Sequence, residues 1–155
     1  MSAAGISAAG PADLDALMTW REEVLREVFS IPESEPMGEL LAANRTYYRA
    51  ALADGSHIAC FASIGGEIVG CGGACLQREM PSPDNPGGLC AYLMNIYTRP
   101  QFRGRGVGRE TVCWLIGRAK AAGAGKIYLE ASENGRALYS GIGFSDMDGY
   151  MKLAK

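Results

Sequence analysis

A single α/β domain spanning residues 1–155, with a mixed, mostly antiparallel sheet of about six to seven strands flanked by about four helices, is predicted by three observations. The chain has 155 residues, 48% of them apolar and 21% charged, which suits one buried core. Two β-rich runs are separated by the pair Gly65-Gly66, a tight hairpin signal. A strand, a glycine-rich loop, a helix and another strand then follow one another from Leu89 to Ser132.

The elements follow in order. Residues 3 to 8 form a short candidate strand, and Gly10-Pro11 with Asp13 marks a helix start with proline at its first position. Leu14, Leu17, Met18, Val24, Leu25 and Val28 recur at helical spacing, so the first helix ends near Ser30. SIPESEPMG is a loop, rich in proline and glutamate. A second helix from about Met37 to Asp54 aligns Leu40, Leu41, Asn44, Tyr47, Tyr48, Ala51 and Leu52. SHIACFASI and EIVGCGGACLQ are the arms of the hairpin, which carries His57. MPSPDNPGG is a loop of turn formers, and LCAYLMNIYT is an apolar strand that Arg99-Pro100 ends. Val107, Thr111, Val112, Leu115, Ile116 and Ala119 define a third helix that the glycines of AAGAG stop. KIYLEAS is a strand, ENGRALYSGIGF a short helix breaking at Gly141 and Gly143, and DGYMKL alternates like a last strand.

Charge and cysteine content narrow the functions. The net charge of −2 and pI of 5.4 give no global basic field, so nucleic acid is not an expected partner. The longest run without Asp, Glu, Lys or Arg, Asn85 to Thr98, is too short to cross a bilayer. MSAAGISAAGPADLD has neither the basic nor the apolar region of a signal peptide. Cys60, Cys71, Cys75, Cys90 and Cys113 make no CxxC pair and His57 is the only histidine, so no metal is expected. Reduced, mostly buried thiols and a cytoplasmic location are the expectation.

QFRGRGVGRE, residues 101–110, places three glycines among arginines between an apolar strand and a helix. The first turn of a helix has N–H groups without intrahelical partners and a partial positive charge, so it can hold an anion. Arg103 and Arg105 would add charge-assisted contacts to phosphate oxygens. Two familiar phosphate loops fail on spacing: a dinucleotide fingerprint needs glycine at position 109, which is Arg109, and neither this stretch nor GAGK supplies a Walker loop.

The pattern Arg103-x-x-Gly106-x-Gly108, preceded by MNIYT and Pro100, resembles the pyrophosphate-binding signature of the GNAT N-acetyltransferases. ASENGRALYSGIGF is similar to that family's later motif, with Tyr139 followed by Gly143-Phe144, and the two blocks stand in the family's order. The resemblance covers nearly the whole chain. It implies acetyl-CoA as co-substrate, with the backbone of Arg103, Gly104, Arg105, Gly106, Val107, Gly108 and Arg109 cradling the pyrophosphate. It further implies that Ile96, Tyr97 and Thr98 offer main-chain groups to the pantetheine arm where their strand splays from the next. Two positions depart from the family pattern: Ser132 stands where an Asn is frequent seven residues before the Tyr, a hydroxyl in place of an amide, and Gly135 where an Ala is usual.

Acetyl transfer from a thioester to an amine needs a neutral amine, a stabilised oxyanion and a proton for the departing thiolate. At the motif position, Tyr139 is the proton donor, a phenol of pKa near 10 facing a thiolate of roughly 8 to 9. The oxyanion is expected on a main-chain N–H near Asn95 to Tyr97. The base is either Glu130, which alternates with Tyr128 and Ser132, or a water held by such groups together with Tyr92 and Asn95. In the family the acceptor cleft is built from the loop between the first two helices, the second helix and the loop before the Leu89–Thr98 strand. Here those segments carry Glu33, Glu35, Glu39, Glu79 and Asp84 against Arg45, Arg49 and Arg78, with Tyr47, Tyr48 and Tyr92 as walls or core. The expected acceptor is a primary amine of a small molecule or peptide. The alternatives are a non-catalytic acyl-CoA sensor on the same fold and a nucleotide-phosphate module. Whether the chain forms a homodimer is not legible.

Overall fold

The computed structural model describes residues 3–155. Gly10 opens the first helical segment, its N–H bonded to the Asp13 carboxylate at 2.8 Å, with Pro11 where a free N–H is not needed. The elements are β1 (Gly5–Ala9), α1 (Leu14–Val28), α2 (Gly38–Asp54), β2 (His57–Ile64), β3 (Glu67–Arg78), β4 (Leu89–Thr98), α3 (Val107–Ala121), β5 (Lys126–Leu129) and α4 (Arg136–Ile142). The five strands lie in sequence order in one sheet, antiparallel throughout except for the parallel β4–β5 pair. Gly65 and Gly66 take φ of 59° and 85°, the mirror-image turn that suits a right-twisted hairpin.

The strand alternation sends two apolar sets to opposite faces. Against one, α1 and α2 bury Leu17, Met18, Trp20, Val24 and Tyr48 on Ala59, Phe61, Cys71 and Tyr97. Against the other, α3 buries Val112 and Leu115 on Cys60, Ala74 and Leu93, and Tyr139 of α4 joins at the margin. Each fully buried Leu or Val contributes about 1.5–3 kcal/mol, so the two layers fix α1 and α3 on either side of β4. Among the described residues no helix is long and apolar enough to span a membrane.

Two features correct the sequence reading. KIYLEAS pairs only over Lys126–Leu129, and DGYMKL forms no strand, leaving five strands among the described residues where the sequence predicts six to seven. The Tyr150 hydroxyl bonds Lys126 Nζ at the first residue of β5, so the tail is held there by a side chain, and Met151 and Lys152 border the cleft beside β5 without a backbone ladder. Met151 and Leu153 are accordingly 97% and 92% exposed. The last helix also runs through Gly141 and stops only at Gly143, whose φ is 126°.

Candidate active site

The site is built where β4 and β5 part. Their parallel ladder runs from Cys90↔Lys126 to Leu93↔Leu129 and stops, while β4 stays paired to β3 as far as Gly70↔Thr98. From Met94 to Thr98 the β5-side edge of β4 therefore has no strand partner. Within that segment Cys71 pairs with Tyr97 and Gly73 with Met94, so Asn95 and Ile96 together face the single residue Gly72. This is a β-bulge, which re-aims the backbone of one strand. Asn95 is its strained residue, with φ of 59°, one of two non-glycine residues in the left-handed region among those described.

Past β4 the chain makes a 3-10 turn at Pro100–Phe102 and enters α3 through Gly104 and Gly106, at φ of 78° and 82°. No other part of the chain crowds either one, so within the protein it is the positive φ that calls for glycine. No side chain caps α3; Glu110 N–H closes the first intrahelical bond to Gly106, leaving the N–H groups ahead of it available. The backbone from Arg103 to Arg109 thus follows the free edge of Ile96, Tyr97 and Thr98 and ends in N–H groups without intrahelical partners. The Arg103 side chain is engaged within the protein. Arg103 donates to the Thr98 carbonyl at 2.9 Å and pairs with Glu27 at 3.0 Å, and the Arg105 guanidinium lies 5.4 Å from the Phe102 ring. Arg109 is exposed beside α4, and Gly108 lets Leu138 approach, since a Cβ there would lie 3.2 Å from it.

Tyr139 of α4 packs in the same cluster as Ile96 and Leu129. It is half-buried, meets Phe144 edge-on at 6.0 Å, and its hydroxyl has no partner among the described residues. Burial raises its phenol above the ordinary value of 10. Its ring lies over Gly135, where a Cβ would come within 2.9 Å of Cε2, so the glycine that replaces the expected alanine seats the ring. Ser132 accepts the Gly135 N–H on its hydroxyl at 3.2 Å, capping the turn before α4.

Tyr139 lines a cleft of about 830 Å³ together with Glu130, Ala131, Tyr92, Tyr128 and Tyr150. Tyr92 and Tyr128 stack at 5.0 Å and 11°, and Gln77 holds the Tyr128 hydroxyl at 2.5 Å. Burial first and the nearby Glu130 carboxylate second raise the Tyr92 phenol. A smaller hollow of about 460 Å³ on the outer face of α1 is lined by Glu22, Glu23, Glu27 and Glu33, but each is paired with Arg26, Arg99 or Arg103. Of the expected acceptor walls, Tyr48 is core at 4% exposure and Tyr47 is half-exposed, while Glu79 is tied to Lys126 and Arg45 to Asp15.

Sequence reasoning misses the bulge and its supports. Arg21 of α1 donates from Nε to Asn44 Oδ1 at 2.8 Å and from Nη1 to Asn95 Oδ1 at 2.9 Å. Asn95 Nδ2 donates to the Tyr48 hydroxyl at 3.4 Å, and the Cys71 thiol to the Asn95 carbonyl at 3.4 Å. The one available signal is a lone Asn in an otherwise apolar strand.

Residues 14–144 match a family model described as Acetyltransferase (GNAT) family. No curated protein matches the chain. Among solved structures, a predicted acetyltransferase with acetyl-CoA from Clostridium acetobutylicum has a TM-score of 0.83 at 26% identity, over 97% of this chain and 96% of that one. A GCN5-related N-acetyltransferase from Ralstonia eutropha JMP134 has a TM-score of 0.80 at 24% identity, over 97% and 98%. Glucosamine-6-phosphate N-acetyltransferase from Arabidopsis thaliana has a TM-score of 0.70 at 18% identity, over 99% of both chains. The last two share the fold.

Proposed function

The chain belongs to the GNAT acetyltransferase family, and on that premise we propose that it moves the acetyl group of acetyl-CoA to a primary amine of a small molecule or peptide by direct attack, with Tyr139 as general acid. The observation that carries this reading is that β4 loses its β5 partner beyond Leu93 just ahead of the uncapped start of α3, while α4, which carries the unpartnered Tyr139 hydroxyl, packs on that start through Leu138 against Gly108 and shares a core cluster with Ile96. The Clostridium structure, which shares this fold, contains acetyl-CoA.

The backbone of Arg103 to Arg109 holds the pyrophosphate, by N–H groups whose partial charge favours an anion. Ile96, Tyr97 and Thr98 present main-chain groups to the pantetheine arm, and Ser132 closes the far side, where its hydroxyl keeps lone-pair capacity beyond the Gly135 contact. Bound there, acetyl-CoA supplies an activated acyl group. The N–H groups of Asn95 to Tyr97 stabilise the oxyanion that forms when an amine adds to it. Tyr139, protonated at neutral pH because burial disfavours the phenolate, gives its proton to the leaving thiolate. Glu130, exposed at the end of β5 beside Tyr92, or a water it holds, takes the proton of the incoming amine.

Incubation with acetyl-CoA and a panel of primary amines tests the reading by the release of free thiol together with mass-detected N-acetyl product. Product is expected with at least one amine. Tight CoA binding with no product on a broad panel would instead leave a sensor.

A further inference from the structure

Arg21 is a half-buried cation with no carboxylate partner among the described residues. It takes part in none of the ion pairs among the described residues, and both of its bonds end on neutral side-chain amides, Asn44 of α2 and Asn95 of β4. An arginine kept there only for packing would be expected to pair with an acid, as Arg99 does through two bonds of 3.0 and 3.1 Å with Glu23, two residues on from Arg21 in α1. What Arg21 grips is the one residue of β4 in the left-handed conformation. A non-glycine residue at φ of 59° costs of order 1–3 kcal/mol and persists only when its surroundings over-determine it. Those surroundings are Arg21 and Tyr48 on the side chain and Cys71 on the carbonyl.

We propose that Arg21 is a positioning residue for acetyl transfer: bonded to Asn44 and Asn95, it holds the β4 bulge in the conformation that aims main-chain N–H groups at the thioester carbonyl. This rests on the acetyl-transfer reading. Asn44 sets the guanidinium, the guanidinium sets the Asn95 side chain, and the side chain sets φ at the bulge. The alignment of α1, α2 and β4 is thereby transmitted to the oxyanion site without Arg21 touching substrate. Its uncancelled charge adds to the field in which negative charge on the carbonyl oxygen develops.

The test uses the full chain, with two readouts. In Arg21→Ala, kcat is expected to fall by about 10²-fold, the cost of a misplacement near 1 Å. Calorimetric affinity for CoA is expected to stay unchanged, since the cradle at α3 is untouched. The infrared band of a carbonyl-labelled acetyl-CoA, shifted to lower frequency on binding to the wild type, is expected to return toward its position in water. Arg21→Lys, with one donor in reach, falls between. Adding Asn95→Gly to Arg21→Ala is expected to recover much of kcat and of the band shift, because glycine adopts the bulge conformation unaided, whereas adding Asn95→Ala is not. Wild-type kcat and band position in Arg21→Ala, or a double variant with glycine no better than the one with alanine, would overturn the proposal. If the wild type acetylated no amine, acetyl transfer would fall, while the band shift and its rescue would still decide on Arg21.

Discussion

Tyr139 owes its protonation state to where α4 puts it. The hydroxyl has no hydrogen-bond partner among the described residues, and burial alone raises its pKa. A phenol raised above 10 stays an acid across the working range, so kcat should show no alkaline fall traceable to Tyr139 below about pH 10. Tyr139→Phe keeps the ring and its contact with Phe144 while removing the proton. Thiol release should drop by about 10²- to 10⁴-fold with CoA affinity intact. Unchanged turnover in this variant would remove Tyr139 from the mechanism.

The start of α3 depends on backbone conformation more than on charge. Gly106 sits at φ of 82° with no atom of the chain within 4 Å of where a Cβ would stand, so within the protein Gly106→Val introduces strain and not a clash. A β-branched residue in the left-handed region costs roughly 1–3 kcal/mol, and the turn is expected to relax so that the first N–H groups of the helix no longer converge. CoA affinity measured by calorimetry should fall at least about tenfold, the equivalent of 1.4 kcal/mol, while far-UV circular dichroism stays native; unaltered affinity would overturn the cradle. Elements of this kind are legible because glycine and proline punctuate them: the Gly65-Gly66 hairpin, Leu89–Thr98 as a whole strand, and the helix from Val107. The tail misleads because period-2 alternation says nothing about whether a strand ladder forms, and Tyr150 meets β5 only through its hydroxyl on Lys126. The bulge is invisible for a different reason. Asn95 meets Arg21 across 74 residues of sequence, and no local pattern encodes that meeting. The arginines at 103 and 105 look like phosphate ligands from composition alone, yet the fold gives Arg103 a carboxylate and a carbonyl.

At the scale of the whole molecule, stability should turn on the one histidine. His57 is 7% exposed at the start of β2, with Tyr47 Oη 2.7 Å from its Nδ1, Tyr48 edge-on at 5.4 Å and Cys75 at 3.7 Å. Burial foremost, and then the positive charge of Arg21, lower its pKa from 6.5 to about 4. The ring is therefore neutral in the folded protein at pH 7, and the unfolded chain binds the proton more readily between those two values. Its contribution is complete above about pH 6.5 and is lost as pH falls through about 4, amounting to about 3 kcal/mol over that window. Carboxylates titrate in the same range, so the wild-type curve alone is not diagnostic. The comparison with His57→Gln isolates the ring, because glutamine does not ionise. Urea unfolding midpoints at pH 7 and pH 4 should differ more in the wild type than in the variant, by an amount close to that free energy once divided by the urea dependence. Equal pH dependence in the two proteins would mean that the folded state accepts the proton at His57 without cost, and that the α2 contact opens before the fold does.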